Sequence, residues 1–293
     1  MENLFKVILG TVQLGLPYGV NNFKGVPTVD ESIEILSTAH DLGIRVLDTA
    51  EAYGFAQKVI GDYHKHNPQR KFEVITKYSS SANDKNDLIY NILNDLKELS
   101  VNSLSGYMFH NFSDYKKNQS KIASLASLKK EGLVKKIGVS TYTNEEIYDL
   151  LDDSDIDFVQ LPFNLFDNNN LRLSALKQLK LSGKEVHVRS VFLQGLFYKD
   201  INDLSEKLSG LKKELVRLNE IANVACTSIS SLALGYALEN DFIDHVLIGV
   251  DDKDQLLANV NHINESKIIP ERIFNLINEI NIIDKDLLNP SNW

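Results

Sequence analysis

The sequence predicts an α/β protein folded as a single-domain (β/α)8 TIM barrel with eight parallel strands. Short apolar runs alternate with amphipathic helical stretches, eight such runs occur, and no Pro-, Gly- or Ser-rich linker divides the 293 residues. Strands that are apolar throughout and separated by helices indicate a parallel sheet buried on both faces. A chain of this length is typical of one such barrel, although an open doubly wound sheet is the alternative.

The elements follow in chain order. The predicted strands are residues 7–11, 45–48, 72–77, 104–110, 136–139, 158–161, 186–190 and 246–248. After a loop at 15–28, the first helix is expected to have Asp30 as its N-cap and Gly43 at its end. Further helices are expected at 86–99 and near 121–131, 144–152, 170–182 and 211–240. The domain then covers residues 1–293, with a tail from about 264 packed outside the barrel.

Composition excludes several classes of partner. The net charge of −9 argues against nucleic acid and against an anionic membrane surface, which both require a basic protein. No basic leader and no long apolar segment is visible, so we expect a cytoplasmic protein that acts on a small molecule, of unspecified oligomeric state. The single cysteine, Cys226, excludes an internal disulfide and is expected to be buried; no metal site is predicted.

Polar side chains stand where several predicted strands end. Asp48 ends the second strand, Tyr53 follows it, Lys77 ends the third strand and His110 the fourth. Further polar residues end later strands: Ser140, Thr141, Gln160, Arg189 and Ser190. In a (β/α)8 barrel the C-terminal strand ends form the active site, so these side chains are expected to meet at one opening.

This set of residues is suited to proton transfer to a carbonyl oxygen. A tyrosine phenol donates a proton more readily beside a lysine cation, and Asp48 is placed to keep Lys77 charged and oriented. His110 is placed to polarise the carbonyl by a hydrogen bond while Tyr53 delivers the proton. None of these side chains donates hydride, so a nicotinamide cofactor is expected to supply it.

Each of the four residues also has an ordinary structural interpretation. Asp48 alone is typical of a helix cap, and His110 alone of a structural histidine. Lys77 alone suits a solvated strand end or the Schiff-base lysine of an aldolase-type barrel, and Tyr53 an aromatic packed under a turn. Only their joint placement favours catalysis.

The same residues resemble the aldo-keto reductase family. Residues 48–54, DTAEAYG, are similar to the family's D-T-A-x-x-Y-G motif, and Lys77 and His110 stand where the family has its catalytic lysine and histidine. Residues 132–140 and the Q-x-x-x-N pattern at 160–164 resemble segments near the family's cofactor site, and the likeness runs from about residue 10 to 259. The chain is identified on this basis as a bacterial member of the family. The resemblance implies a (β/α)8 barrel that reduces an aldehyde or ketone, with Asp48, Tyr53, Lys77 and His110 as the catalytic residues.

The resemblance also implies a cofactor, NADP(H) in preference to NAD(H), bound in an extended pose; no G-x-G-x-x-G follows the first strand. The expected cofactor contacts are Thr11, Asp48, Ser140, Thr141, Gln160, Arg189, Ser190, Phe192, Gln194, Gly195, Gly249, Val250, Asp252, Gln255 and Asn259. Two features depart from the family pattern. Arg189 stands where many members stack an aromatic ring on the nicotinamide, and residues 249–255, GVDDKDQ, are a poor clamp for a 2′-phosphate.

The substrate is less defined. Residues 14–19 are expected at the mouth of the pocket, and residues 189–196 resemble a group of bacterial reductases associated with surface sugars, which makes a sugar-related carbonyl one candidate. The candidate aromatic walls are Tyr18, Phe55, Tyr78, Phe112 and Phe166. Two other functions remain open: a Schiff-base lyase that uses Lys77, and a nicotinamide-binding sensor or accessory protein with little turnover.

Overall fold

The computed structural model describes residues 4–78 and 88–293 and shows a closed barrel of eight parallel strands, which confirms the predicted (β/α)8 fold. Each strand pairs with the next along the chain, and β8 closes the barrel against β1. The strands are β1 Val7–Gly10, β2 Val46–Asp48, β3 Glu73–Tyr78, β4 Gly106–Phe109, β5 Ile137–Ser140, β6 Phe158–Pro162, β7 Glu185–Arg189 and β8 His245–Gly249. All eight predicted strands occur, with ends that differ by one or two residues.

Helices surround the barrel. They are α1 Val29–Asp41, α2 Ala56–His66, α3 Leu88–Leu99, α4 Phe112–Lys117, α5 Ile122–Lys130, α6 Asn144–Tyr148, α7 Asn169–Leu181, α8 Lys212–Val224, α9 Ile229–Leu238, α10 Lys253–Ser266 and α11 Glu271–Asn278. The first two residues of the helix predicted at 86–99 lie outside the described residues. Helix α2 was absent from the sequence-based prediction.

Three predictions about helix ends and Cys226 are corrected. The N-cap of α1 is Thr28, whose side chain accepts from the Glu31 amide in a capping box, while Asp30 lies within the first turn. The helical stretch predicted at 211–240 is two helices, because Ser228 starts α9 with its own cap. Between the two helices Cys226 has φ +50° and is exposed, so the expectation that it is buried is wrong. The predicted end of α1 at Gly43 is confirmed, with φ +94°.

Alternation along the strands divides their side chains between two apolar layers. One face packs against the helices in the main core, and the other fills the barrel interior with Ile8, Ile75, Met108, Phe158 and Leu247. Phe158 fills the centre, where a β-carbon at Gly106 would lie 3.1 Å from its ring. The interior is therefore closed by hydrophobic packing, and polar groups are confined to the two ends of the barrel.

The chain after α10 packs on the outside of the barrel. The side chain of Asn168 donates to the carbonyl oxygens of Ile277 and Ile280 at 2.8 and 3.0 Å, which holds the end of α11 beside the start of α7. No single described helix is long and apolar enough to cross a membrane; residues 206–224 and 229–238 reach that length and composition only together, across an 87° bend.

Candidate active site

The barrel places four polar side chains directly above the interior hydrophobic layer. Two residues after an interior-facing position, a strand residue faces the interior again, at the next level. Three strands each carry a residue of the interior cluster, or one packed against it, and a polar residue two positions later. The pairs are Val46 and Asp48 on β2, Ile75 and Lys77 on β3, and Met108 and His110 at the end of β4. Gln160 follows Phe158 in the same way. The strand period thus brings these side chains together at the C-terminal opening.

Lys77 is the centre of the hydrogen-bond network at this opening. Its ammonium group forms an ion pair with Asp48, and both side chains are almost fully buried. The same Nζ donates to the Thr49 carbonyl oxygen at 2.9 Å and to the Tyr53 hydroxyl at 3.4 Å. Asp48 also accepts from Gln160 Nε2 at 2.9 Å. The lysine is therefore held in one position, with one hydrogen directed at the phenol oxygen.

Tyr53 is positioned by a close approach of two loops. Gly54 follows it with φ +55°, and a β-carbon there would lie 2.5 Å from the carbonyl oxygen of Gly15. Gly15 in turn packs on the backbone of Tyr53 and Phe55 with no room for a side chain. Glycine at both positions lets the β1 and β2 loops touch, so the phenol is fixed beside Lys77.

The charge states of Lys77 and His110 differ for identifiable reasons. Burial alone lowers the pKa of Lys77, but the Asp48 carboxylate outweighs it, and the net pKa lies above the ordinary value. Burial, and then the Lys77 cation, lower the pKa of His110 to about 4. The His110 ring packs edge-on against Tyr53 with centroids 5.7 Å apart. The site at neutral pH therefore holds a lysine cation and a neutral imidazole.

The lowered pKa of His110 makes stability depend on pH. We expect the free energy of unfolding to fall as the pH drops from 6.5, the ordinary value for histidine, to about 4. Within that interval the unfolded chain binds a proton at this position and the folded chain does not; below it both do. Urea unfolding across this range measures the slope.

The His110→Gln variant, which has no ionisable group at this position, should lose less stability than the wild type over the same interval. His66→Gln is the matched control, because His66 is exposed and its ring bonds only to the backbone of Asp62 in its own helix. An unchanged slope in His110→Gln would contradict this account.

A cleft of about 420 Å³ extends from this polar centre along the barrel opening. This volume lies within the range of small-molecule and cofactor sites. The predicted site residues that line it are Thr11, Asp48, Tyr53, Gln160, Arg189, Ser190, Phe192, Gln194, Gly195, Gly249, Gln255 and Asn259. The catalytic centre and most of the predicted cofactor contacts thus share one continuous cavity.

Six predicted residues do not line this cleft. Lys77 and His110 contact Tyr53, which does line it, and Ser140 and Thr141 are buried at the end of β5. Val250 is buried in the main core. The side chain of Asp252 instead accepts from the Gln255 amide at 2.8 Å as the N-cap of α10, and it pairs with Lys24 at 2.5 Å.

The segment after β1 adds lining residues that sequence reasoning largely missed. Asn21 donates to the Gly195 carbonyl oxygen at 2.7 Å, and the Val20 amide donates to the Gln194 carbonyl oxygen at 3.0 Å. Gln194 Nε2 donates to the Tyr18 hydroxyl at 2.8 Å. These contacts join loops about 175 residues apart and form one wall of the cleft, a pairing that no local pattern indicates.

Other lining residues come from outside the predicted set: Gln13, Asn22, Tyr198, Ser230, Asp251 and His262.

Of the five aromatic residues predicted to form the walls of the pocket, only Tyr18 lines the cleft. Tyr78 and Phe166 are buried in the core, Phe112 packs against the core, and Phe55 is exposed. Residues 14–19 therefore contribute Tyr18 and Gly19 to the mouth of the cleft.

Two features fit an extended dinucleotide. Gly10 and Gly249 are register partners at the ends of β1 and β8 and line the cleft floor, where the Gln13 amide lies so close that a β-carbon at Gly249 would meet it at 2.5 Å. The floor residue Gln13 has a buried amide oxygen, Oε1, with no hydrogen-bond partner among the described residues, and buried polar atoms usually have one. A bound cofactor would supply the partner that this oxygen lacks.

Arg189, the departure from the family pattern, lines the same cleft. Its guanidinium lies 4.3 Å from the centre of the Tyr142 ring and donates to the Thr141 carbonyl oxygen at 3.2 Å. The Tyr142 ring covers one face of the guanidinium and leaves the opposite face for a ligand. The arrangement allows Arg189 to stack on a flat ligand in place of an aromatic ring.

Comparisons with known proteins agree with this geometry. The model of the Aldo/keto reductase family matches residues 6–282. The chain is 23% identical to L-glyceraldehyde 3-phosphate reductase of Escherichia coli (87% of this chain, 84% of that protein). It is also 23% identical to the NADH-specific methylglyoxal reductase of E. coli (79% and 82%). The holo form of an aldo-keto reductase from Bacillus halodurans superposes with TM-score 0.75 at 20% identity, covering 95% of this chain and 94% of that one.

Proposed function

Since the chain belongs to the aldo/keto reductase family and reduces carbonyl compounds with a nicotinamide cofactor, we propose that Tyr53 is the proton donor of its reaction. The observation that carries this proposal is the contact of Lys77 with the Tyr53 hydroxyl, 3.4 Å away at the wall of the cleft. The other three catalytic residues in the proposal are Asp48, Lys77 and His110.

The nicotinamide, when bound, supplies the hydride that forms the new C–H bond. Tyr53 completes the reduction by donating its hydroxyl proton to the substrate oxygen, so that a carbonyl becomes an alcohol. The phenolate left behind is stabilised by the Lys77 cation, which Asp48 keeps charged. A neutral His110 beside Tyr53 donates a hydrogen bond to the same substrate oxygen. Solvent in the cleft then returns a proton to Tyr53.

The two alternative functions are not favoured. A Schiff-base lysine must be neutral to attack a carbonyl, whereas Asp48 raises the pKa of Lys77 and holds its Nζ in hydrogen bonds. A sensor with little turnover has no need of a polarised proton donor, and the relatives reported above are reductases.

The proposed cofactor contacts follow from the cleft. Gly10, Gln13 and Gly249 line the cleft floor on which the cofactor is proposed to lie, and Gln160, beside Asp48, is proposed to face the nicotinamide end. By family resemblance, Gln255 and Asn259 on α10 would face the adenosine. Ser140 and Thr141 are buried, and their proposed contact with the cofactor is supported by the family resemblance alone.

Charges at the adenosine end favour NAD(H), against the preference for NADP(H) implied by the family resemblance. Asp251 lines the cleft there. The two nearby lysines are already paired, Lys24 with Asp252 and Lys253 with Glu34. A 2′-phosphate would therefore meet a carboxylate and paired cations, which is unfavourable for a dianion. We therefore propose that the protein prefers NAD(H) to NADP(H).

Parallel fluorescence titrations with NADH and NADPH test the cofactor. We expect NADH to bind more tightly, by roughly tenfold, which corresponds to about 1.4 kcal/mol. Asp251→Arg should narrow or reverse that difference, because it places a cation at the cleft wall. Asp254→Arg is the matched control: it changes net charge equally, but Asp254 is exposed and outside the cleft. Tighter binding of NADPH by the wild type would contradict the NAD(H) preference, and binding of neither would contradict the cofactor site.

The proposed substrate is a small carbonyl compound with hydrogen-bonding groups, a sugar-related aldehyde or ketone among them. Its support is the polar mouth formed by Tyr18, Asn21, Arg189 and Gln194, together with two similar proteins, a reductase of L-glyceraldehyde 3-phosphate and a reductase of methylglyoxal. The proposed location is the cytoplasm.

A further inference from the structure

A second cluster of polar groups lies at the other end of the barrel. Glu185 and His187 are two residues apart on β7 and share a face of the strand, and His245 on β8 is the register partner of His187. His187 stacks on Phe158, which belongs to the interior cluster, with ring centroids 4.6 Å apart. These three residues, here called the β7–β8 triad, therefore face the barrel interior below the hydrophobic layer, opposite Tyr53.

The triad presents three ligand atoms, one from each residue, within 4.8 Å of one another. His187 is only 2% exposed, yet its Nδ1 has no hydrogen-bond partner among the described residues. The Nδ1 atom of His245 is also buried and lacks a hydrogen-bond partner among those residues. A buried polar atom without a partner is unfavourable and indicates a missing ligand or an enclosed water.

We propose that the β7–β8 triad binds one divalent transition-metal ion of the zinc type. Two imidazole nitrogens and a carboxylate oxygen are a ligand set that Zn²⁺ prefers, with water in the fourth position. Ligand atoms around tetrahedral zinc lie roughly 3.4 Å apart, so groups that are up to 4.8 Å apart must close by as much as about 1.4 Å. The Glu185 side chain can take part in this movement, since it is 33% exposed at the barrel end, where an ion can enter. This reverses the sequence-based expectation that no metal site exists.

Lys136 shapes the site without blocking it. Its Nζ lies 2.5 Å from Oε1 of Glu185, whereas Oε2 of the same carboxylate faces Nε2 of His187 at 3.4 Å. One oxygen is thus held by the lysine and the other faces the histidine. The neighbouring cation weakens metal binding by repulsion, so removing it should strengthen binding.

The position of the triad points to a structural role. β7 and β8 share two residue pairs in register, whereas β6 and β7 share five. A metal held by Glu185 and His187 on one strand and His245 on the next would join the strands across this short ladder. Because the ion binds the folded chain only, it should raise the melting temperature of the full-length protein.

The test is titration of the chelator-treated protein with Zn²⁺, followed by competition with a chromogenic chelator and by the melting temperature. We expect one Zn²⁺ per chain and a rise in Tm of several degrees. His245→Gln and Glu185→Gln should each weaken Zn²⁺ binding by at least roughly tenfold, and Lys136→Gln should strengthen it. His66→Gln is the control for loss of an exposed histidine.

A protein that takes up no stoichiometric Zn²⁺ would overturn the proposal, as would His245→Gln and Glu185→Gln variants that bind it like the wild type. If His245→Gln does not fold, Glu185→Gln carries the test, because this partly exposed side chain is not part of the hydrophobic layer. The opposite signs expected for Glu185→Gln and Lys136→Gln distinguish metal binding from loss of their ion pair, which both variants remove.

Discussion

Replacing Tyr53 with phenylalanine is expected to lower kcat for carbonyl reduction on the order of 10²–10⁴-fold, with cofactor Kd nearly unchanged. The substitution removes the hydroxyl that Lys77 contacts at 3.4 Å and leaves the ring, which packs edge-on with His110. Only the proton donor is lost, so the effect should appear in turnover. Steady-state reduction of a carbonyl substrate and a parallel cofactor titration measure the two quantities.

Tyr18→Phe is the matched control for that result. Tyr18 lines the same cleft, and its hydroxyl also accepts one hydrogen bond, from Gln194, but it does not contact Lys77. We expect its kcat to stay within a few-fold of the wild type. Near-normal turnover in Tyr53→Phe would show that the phenol beside Lys77 is not the donor.

Replacing Lys77 with methionine is expected to reduce both activity and stability. The phenolate formed at Tyr53 would lose its cation, which should lower kcat on the order of 10²–10³-fold. The Asp48 carboxylate would stay buried with Gln160 as its remaining side-chain donor, and breaking a buried ion pair in this way costs about 3–5 kcal/mol. Urea unfolding and steady-state kinetics measure the two losses separately.

The double variant Asp48→Asn, Lys77→Met separates the two effects. Removing both charges leaves no unpaired ion, so most of the lost stability should return, because a buried pair costs desolvation as well as providing attraction. Activity should stay low, since Tyr53 still lacks its cation. Recovery of activity together with stability would show that Lys77 supports the fold alone.

The sequence predicted the eight strands because a strand buried on both faces is a run of apolar residues, visible in any short window. The sequence-based prediction was wrong about helices in two places where the apolar pattern alone is a poor guide. Helix α2 carries His64, Lys65 and His66 in its last turn, which masks its apolar side. The break between α8 and α9 depends on the Ser228 cap and on the left-handed conformation of Cys226, and neither alters the apolar pattern.

The sequence by itself determined the barrel, and the DTAEAYG motif at 48–54 with Lys77 and His110 indicated the reaction. These features are local: strand period sets which residues face inward, and the C-terminal ends of parallel strands meet at one opening. The tertiary structure decided which polar groups meet, since barrel closure and loop packing join residues far apart in the chain. Barrel closure and loop packing pair Asn21 with Gly195 and Lys24 with Asp252, and the register of β7 against β8 pairs His187 with His245.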